Sequence, residues 1–344
     1  MNSYERVFMR LAGEKTDRIP NLNIVMQFAA KHIGVLYGNY CADYRLLVEG
    51  NLRCCEDFGI DAVSAISDPC REAGGFGADV SIGEDTVPAI RGALIQHHSD
   101  VKKLNCKSSV SVPRMEDRVK AIELYARKVK GEYPIIGWVE GPFAEAADLR
   151  GVNNILIDII SEPDIVGDIM DITLEQAVSF AQEQVQAGAD IIGVGDAVAS
   201  LVGPNLYEKF VLPYEIKLLK KIQGMGAKTK LHICGNIEPY LAMLPAEHCD
   251  IIDLDWMVDI EKAVKMHGDR VSVCGNINPV TILESDEDGI VKQVETLIRL
   301  GNQKYIFAAG CEIPKNTPPK NMRAIAGTLM KNTPLIKIYA GRPA

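Results

Sequence analysis

His232, Cys234 and Cys311 are the residues of this chain whose types best suit a reaction centre. Two thiolates with an imidazole form a zinc-type donor set, and three protein ligands leave a fourth position for water or substrate, as catalytic sites require. A closed structural site would instead show four ligands in short paired spacings. His232 and Cys234 are two apart, so on a strand they point to the same face. Cys311 lies far along the chain and must be carried to them by the fold. Cysteine is also an ordinary buried apolar residue, and a lone His-x-Cys arises by coincidence. The trio therefore gains meaning from the elements that position it.

Those elements are short β-rich runs at 20–26, 59–66, 133–140, 189–196, 228–234, 249–255, 270–274 and 304–310, alternating with amphipathic stretches at 43–57, 115–130, 164–187, 205–225, 289–300 and 318–331. Alternation of this kind is the pattern of parallel βα units, and runs rich in Ile, Val and Ala suit strands buried on both faces. Eight such units predict an α/β chain folded as a (β/α)8 TIM barrel, a single domain over 1–344. An N-terminal helical extension precedes the barrel. The Gly-rich stretch 67–100, with a hairpin around GADVSIG, reads as an insertion over one end. Gly193-Val194-Gly195 follows a strand but does not continue as GxGxxG, so a dinucleotide fold is disfavoured.

In such a barrel the active site lies at the C-terminal ends of the strands. His232 and Cys234 end the fifth, Cys274 the seventh, and Cys311 follows the eighth. Glu140, Asp196, Asp253 and Asp255 also end strands, each expected as a fourth metal ligand, an orienter of His232 or an acid–base group. Each could equally cap the following helix. Asn236 and Asn276 are candidates for substrate hydrogen bonds or for turn caps. Cys234-Gly-Asn-Ile-Glu-Pro239 is echoed by Cys274-Gly-Asn-Ile-Asn-Pro279, where the glycines are expected to permit an unusual backbone angle.

Composition narrows the partners. Apolar residues make up 47% of 344 and charged residues 24%, as in a globular protein with a large core. The net charge of −9, without a basic block, disfavours nucleic acid or an anionic membrane surface. No run of about 18 apolar residues suggests a transmembrane helix. The opening MNSYERVFMRLAGEKTDR lacks the apolar stretch of a secretory signal. Nine dispersed cysteines suit reduced thiols in a cytoplasm.

The motifs Leu231-His-Ile-Cys-Gly-Asn236, Gly275-Asn-Ile-Asn-Pro279, Ala309-Gly-Cys-Glu-Ile-Pro314 and Thr317-Pro-Pro-Lys-Asn321, with Asp17-Arg-Ile-Pro20 after the opening helix, resemble the corrinoid-dependent methyltransferase branch of the uroporphyrinogen decarboxylase superfamily. The resemblance implies Zn2+ held by His232, Cys234 and Cys311, and methyl transfer to or from the cobalt of a corrinoid (cobalamin). The cobalamin-binding Asp-x-His-x-x-Gly pattern is missing, since Lys230 stands where Asp is required, so the corrinoid is expected on a partner protein. The other substrate would be a thiol acceptor or an O-, N- or S-methyl donor such as a methoxyaromatic or methylamine. A metal-independent decarboxylase is the alternative. The decarboxylases carry an Arg-Gln-Ala-Gly-Arg-like segment for substrate propionates; here Gln27-Phe-Ala-Ala-Lys31 offers no arginine.

Overall fold

The computed structural model describes residues 1–331. Seven parallel strands form one sheet: β1 (Val63–Ser64), β4 (Ile135–Glu140), β5 (Ile191–Gly195), β6 (Lys228–Ile233), β7 (Ile251–Leu254), β8 (Ser272–Ile277) and β9 (Ile306–Ala309), paired in that order. The eighth expected strand, 20–26, is reduced to one bridge between Asn21 and Phe307. Pro20 has no N–H to give the ladder, so only its carbonyl accepts, from Phe307. Further along, the side chain of Asn23 accepts from the Ala309 amide at 2.7 Å, where a backbone carbonyl would otherwise sit. On the other side the Asp61 amide donates to the Asn21 carbonyl. The segment thus closes the sheet between β9 and β1, and the barrel is complete.

Helices return each strand to the next. The expected helical stretches appear as Tyr44–Phe58, Pro113–Val129, Pro163–Ala187, Leu212–Gly224, Glu287–Ile298 and Pro319–Lys331. Proline opens several of them, where its preset backbone fits and its missing donor has no intrahelical partner anyway. Within β5, Gly193 is a packing requirement: a Cβ there would lie 2.6 Å from the Trp138 indole on β4. That contact accounts for Gly193 by packing alone.

The insertion at 67–100 holds helix Arg71–Phe76 and an antiparallel hairpin of β2 (Val80–Ser81) and β3 (Ala89–Ile90), the latter close to where the sequence placed it. It covers the C-terminal ends of the strands. The opposite end is sealed by the N-terminal helix Ser3–Leu11, whose cap is an Asn2–Glu5 capping box. No helix among the described residues is long and apolar enough to cross a membrane. All nine cysteines are free thiols.

Candidate metal centre

Strand register builds the site. Across the sheet Glu140 pairs with Gly195, Gly195 with His232, His232 with Asp253, and Asp253 with Cys274. In a sheet, residues paired across strands share a face, so these side chains form one layer of the barrel interior. Gly195, without a side chain, leaves room between Glu140 and His232. Lys230, two residues before His232, points inward one layer lower. It ion-pairs with Asp253 at 3.0 Å.

The trio that sequence alone could only suggest converges here. The donor atoms of His232, Cys234 and Cys311 all lie within 4.8 Å of one another. Cys234 Sγ and Cys311 Sγ are 3.9 Å apart, near the roughly 3.8 Å edge expected of two sulfurs about 2.3 Å from a tetrahedral zinc. His232 Nε2 faces Cys234 Sγ at 2.9 Å, while Nδ1 faces the Asp253 carbonyl and carboxylate, both at 3.2 Å. A ligating histidine is commonly oriented through its second nitrogen in this way. The donor set and its spacing fit zinc.

Electrostatics point the same way. Cys311 is pulled down to about 4, first by the hydrogen bond from Cys234 and then by His232, whereas Cys234 is pushed up. Burial disfavours the imidazolium of His232, but the adjoining sulfur of Cys234 and the Asp253 carboxylate outweigh it and raise its pKa. For Asp253 too burial is the largest influence, and Lys230 and His232 overcome it to hold the carboxyl at about 2.

Cys311 is delivered by close backbone packing. A Cβ on the preceding Gly310 would stand 2.2 Å from the Trp256 amide nitrogen, so only glycine lets this loop press against the end of β7. Cys234 is followed by Gly235 at φ +95°, and its echo Gly275 lies at φ +134°. Both glycines meet the expectation of an unusual backbone angle. The Gly235 amide donates to Asp255 at 2.9 Å.

The other candidates separate. Glu140 lines the cavity. Asp196 is fully buried and accepts from the Ala144 amide at 2.8 Å, capping helix Pro142–Arg150; burial raises its pKa to about 7. Asp255 receives the amides of Gly235 and Met257. Asn276 donates to the Asp255 and Val258 carbonyls at 2.9 and 2.8 Å. Asn236 is exposed and accepts from the Glu238 amide, a turn cap. Asp196, Asp255, Asn236 and Asn276 thus bind backbone rather than line the cavity. Cys274 is fully buried and stands outside the trio.

The trio floors a cavity of about 390 Å³ at the strand C-termini. Ile24, Met26, Ile66, Val87 and Trp138 give it apolar walls, and Asp68, Glu140 and Glu312 bring carboxyl groups to its edge. Sequence reasoning missed Glu312, although it adjoins Cys311; burial, and then that thiolate, push it up to about 7. It also missed the group behind Glu140. Glu72, Glu145 and Asp148 gather there with the fully buried Arg71. Glu145 finds no hydrogen-bond partner for either oxygen. Burial, then Glu72, raises Glu140 well above the usual carboxylate range. Acids set in the alanine-rich run Phe143-Ala-Glu-Ala-Ala-Asp148, within helix Pro142–Arg150, were the available signal.

The uroporphyrinogen decarboxylase (URO-D) family model matches residues 2–331. Over 327 residues the chain is 27% identical to a methylcobamide:CoM methyltransferase of Methanosarcina mazei, covering 93% of this chain and 95% of that protein. It is 32% identical to another methylcobamide:CoM methyltransferase, of Methanosarcina barkeri, over 211 residues, 60% of this chain and 61% of the other. A solved methyltransferase from Methanosarcina mazei superposes with a TM-score of 0.88 at 24% identity, covering 96% of this chain and 99% of its own. That likeness establishes the shared α/β barrel.

Proposed function

This chain belongs to the uroporphyrinogen decarboxylase family, and within that family we propose that it is a zinc-dependent methyltransferase. It moves a methyl group between the cobalt of a corrinoid carried by a separate protein and a small molecule in the cavity. The observation that carries this reading is the convergence of His232, Cys234 and Cys311 within 4.8 Å on a cavity floor at the strand C-termini. Relatives named as methylcobamide:CoM methyltransferases support the reaction class.

Bound there, zinc supplies Lewis acidity, which keeps a thiol acceptor nucleophilic near neutral pH or stabilises the heteroatom that loses its methyl group. The chain's own groups do the rest. Asp253 fixes the His232 ring through Nδ1, leaving Nε2 for the metal. Lys230 balances Asp253 in the dry interior. In the acceptor direction a sulfur lone pair takes the methyl group and the cobalt–carbon electrons remain on cobalt. In the donor direction Co(I) takes it, and the departing oxygen or nitrogen keeps the bonding pair and gains a proton. Glu140, at the cavity edge, is placed to give that proton. The decarboxylase reading is opposed by the cavity, which no arginine or lysine lines among the described residues; tetrapyrrole carboxylates need such partners.

The test is elemental analysis joined to transfer assays. One zinc per chain, lost in His232→Ala, is expected. So is a visible-spectrum change when methylcobalamin is mixed with a thiol, or when reduced corrinoid protein meets a methoxyaromatic or methylamine. Absence of metal, with silence in both directions alongside the authentic partner, would sink the proposal.

A further inference from the structure

A second cavity, of about 220 Å³, lies at the N-terminal end of the barrel. Arg10, Lys15, Thr16 and Arg18 line one side of it, and the turn before β9, with Gly301, Asn302 and Gln303, lines the other. No carboxylate lines it among the described residues. The cations at this end divide into two sets. Arg6 and Arg18 are matched by Asp17 and Asp61, two charges against two. Arg10 and Lys15 are not matched. Arg10 is only 8% exposed, yet its partners are neutral oxygens. Nε donates to the Tyr305 carbonyl at 2.8 Å, Nη1 makes a long contact of 3.5 Å to the Thr16 hydroxyl, and Nη2 makes no hydrogen bond. Burial pulls this guanidinium down to about 10. Lys15 is exposed at the rim and makes no ion pair among the described residues. Residues 332–344 contain no Asp or Glu to supply a partner for either. Glu14, the nearest acid along the chain, is exposed and does not line the cavity.

A buried cation without a counter-ion is costly, so something is expected to answer it. One rival stands nearby, the C-terminal end of helix Glu287–Ile298, whose last carbonyls carry partial negative charge. Those carbonyls are already occupied: Glu295, Leu297 and Ile298 accept from the Arg299, Leu300 and Gly301 amides. We propose that this cavity binds a phosphate group, free or as the end of a small phosphomonoester. Two unmatched cations balance its charge of nearly two, and the guanidinium fork of Arg10 suits its oxygens. Arg10 makes the buried contact, and Lys15 closes on the ligand from the rim. Bound there, phosphate fastens the opening helix Ser3–Leu11 to the turn before β9. The site lies at the other end of the barrel from His232, Cys234 and Cys311 and does not rest on the methyltransferase reading.

Calorimetric titration of the full chain with inorganic phosphate, and separately with glycerol 3-phosphate, at constant ionic strength tests the proposal. One equivalent is expected to bind with Kd of about 1 mM or tighter. The tighter of the two ligands tells whether the site takes the free ion or an ester, and either result supports it. Lys15→Glu should weaken binding at least about tenfold, whereas Lys102→Glu, an equal change of charge at another exposed lysine, should not. Arg10→Gln should abolish binding. If its lost bond to the Tyr305 carbonyl prevents folding, Lys15→Glu still decides the matter, because that side chain holds nothing in place. No saturable binding below about 10 mM, binding unchanged in Lys15→Glu, or an equal loss in Lys102→Glu would overturn the proposal. So would phosphate that is lost in His232→Ala and indifferent to Lys15→Glu, since it would then sit on the metal at the other end.

Discussion

The two ends of the barrel both bury charge, and they treat it oppositely. At the N-terminal end Asp61 receives Arg6 at 2.7 Å, Arg18 at 2.6 Å, the Ser3 hydroxyl and the Asn21 amide. Arg6 also grips Asp17 with two hydrogen bonds of 2.7 Å. Nearly every lone pair there has a donor, which is how a protein keeps charge in its interior for structure. At the C-terminal end, Glu145, Glu72, Asp196 and Glu312 each leave buried oxygens without a partner, and Arg71 and Arg114 leave buried nitrogens likewise. Imbalance of that kind persists where chemistry needs it. Satisfied charge holds the N-terminal end together, and unsatisfied charge gathers around the cavity.

The sharpest way to break the comparison is to mutate one residue at each end. Cys311→Ala should abolish stoichiometric zinc and cut methyl transfer on the order of 10³-fold, with little change in unfolding free energy of the metal-free protein. Asp61→Ala should leave Arg6 and Arg18 buried and uncompensated, destabilising the fold by about 3–5 kcal/mol while residual folded protein still binds zinc. Denaturant unfolding and metal analysis read both. If Asp61→Ala loses zinc while folded, or Cys311→Ala unfolds as readily as Asp61→Ala, the division of labour is wrong.

A smaller effect is expected at Asp253, which belongs to both categories: its carboxylate pairs Lys230 and orients His232. Asp253→Asn should lower zinc affinity about 10- to 100-fold and destabilise by stranding Lys230. Lys230→Met added to it should recover the stability and not the affinity. Recovery of both would reduce Asp253 to a counter-ion.

Much of this was legible in the sequence because it is local. Strand positions followed from apolar runs, and His232 and Cys234 share a face by spacing alone. Asp17-Arg-Ile-Pro20 was visible as a motif, though not as half of an ion-pair network completed by Asp61. What the sequence could not show depends on register between distant strands. Asp253 and Asp255 look equivalent in Asp253-Leu-Asp255, yet pairing puts Asp253 beside His232, while Asp255 turns to the Gly235 amide. The carboxyl group behind Glu140 was hidden for the same reason. Its members come from the insertion and the helix after β4, and only the closed barrel brings them together.

The ends should also answer pH differently. Burial, and then Glu72, raise Asp148 from 3.8 to about 7. The folded state therefore binds this proton more tightly than the unfolded chain. That contribution is full below about pH 4 and is lost as pH rises towards 7. Asp17, at the other end, is shifted down, so its contribution is lost only as pH falls below about 4. In the metal-free protein, Asp148→Asn should flatten the decline between pH 4 and 7 and stabilise the fold at pH 8 by about 1–3 kcal/mol. An unchanged slope would show that the acidic group is relieved by other means.

The smallest effect probes the boundary of the site. Asn236 follows Cys234, a proposed zinc ligand, by two residues, and was a candidate for a substrate hydrogen bond or a turn cap. Its side chain instead accepts from the Glu238 amide at 3.1 Å and is exposed. A turn cap of this kind is worth about 1 kcal/mol or less. Asn236→Ala should therefore leave KM and zinc content unchanged and lower stability by no more than that. Asn236→Asp, which keeps the acceptor, should restore the stability. A KM raised severalfold in Asn236→Ala but not explained by stability would move the edge of the site outwards to include this turn, and the contrast between capped and reactive polar groups would then have to be drawn one residue further along the chain.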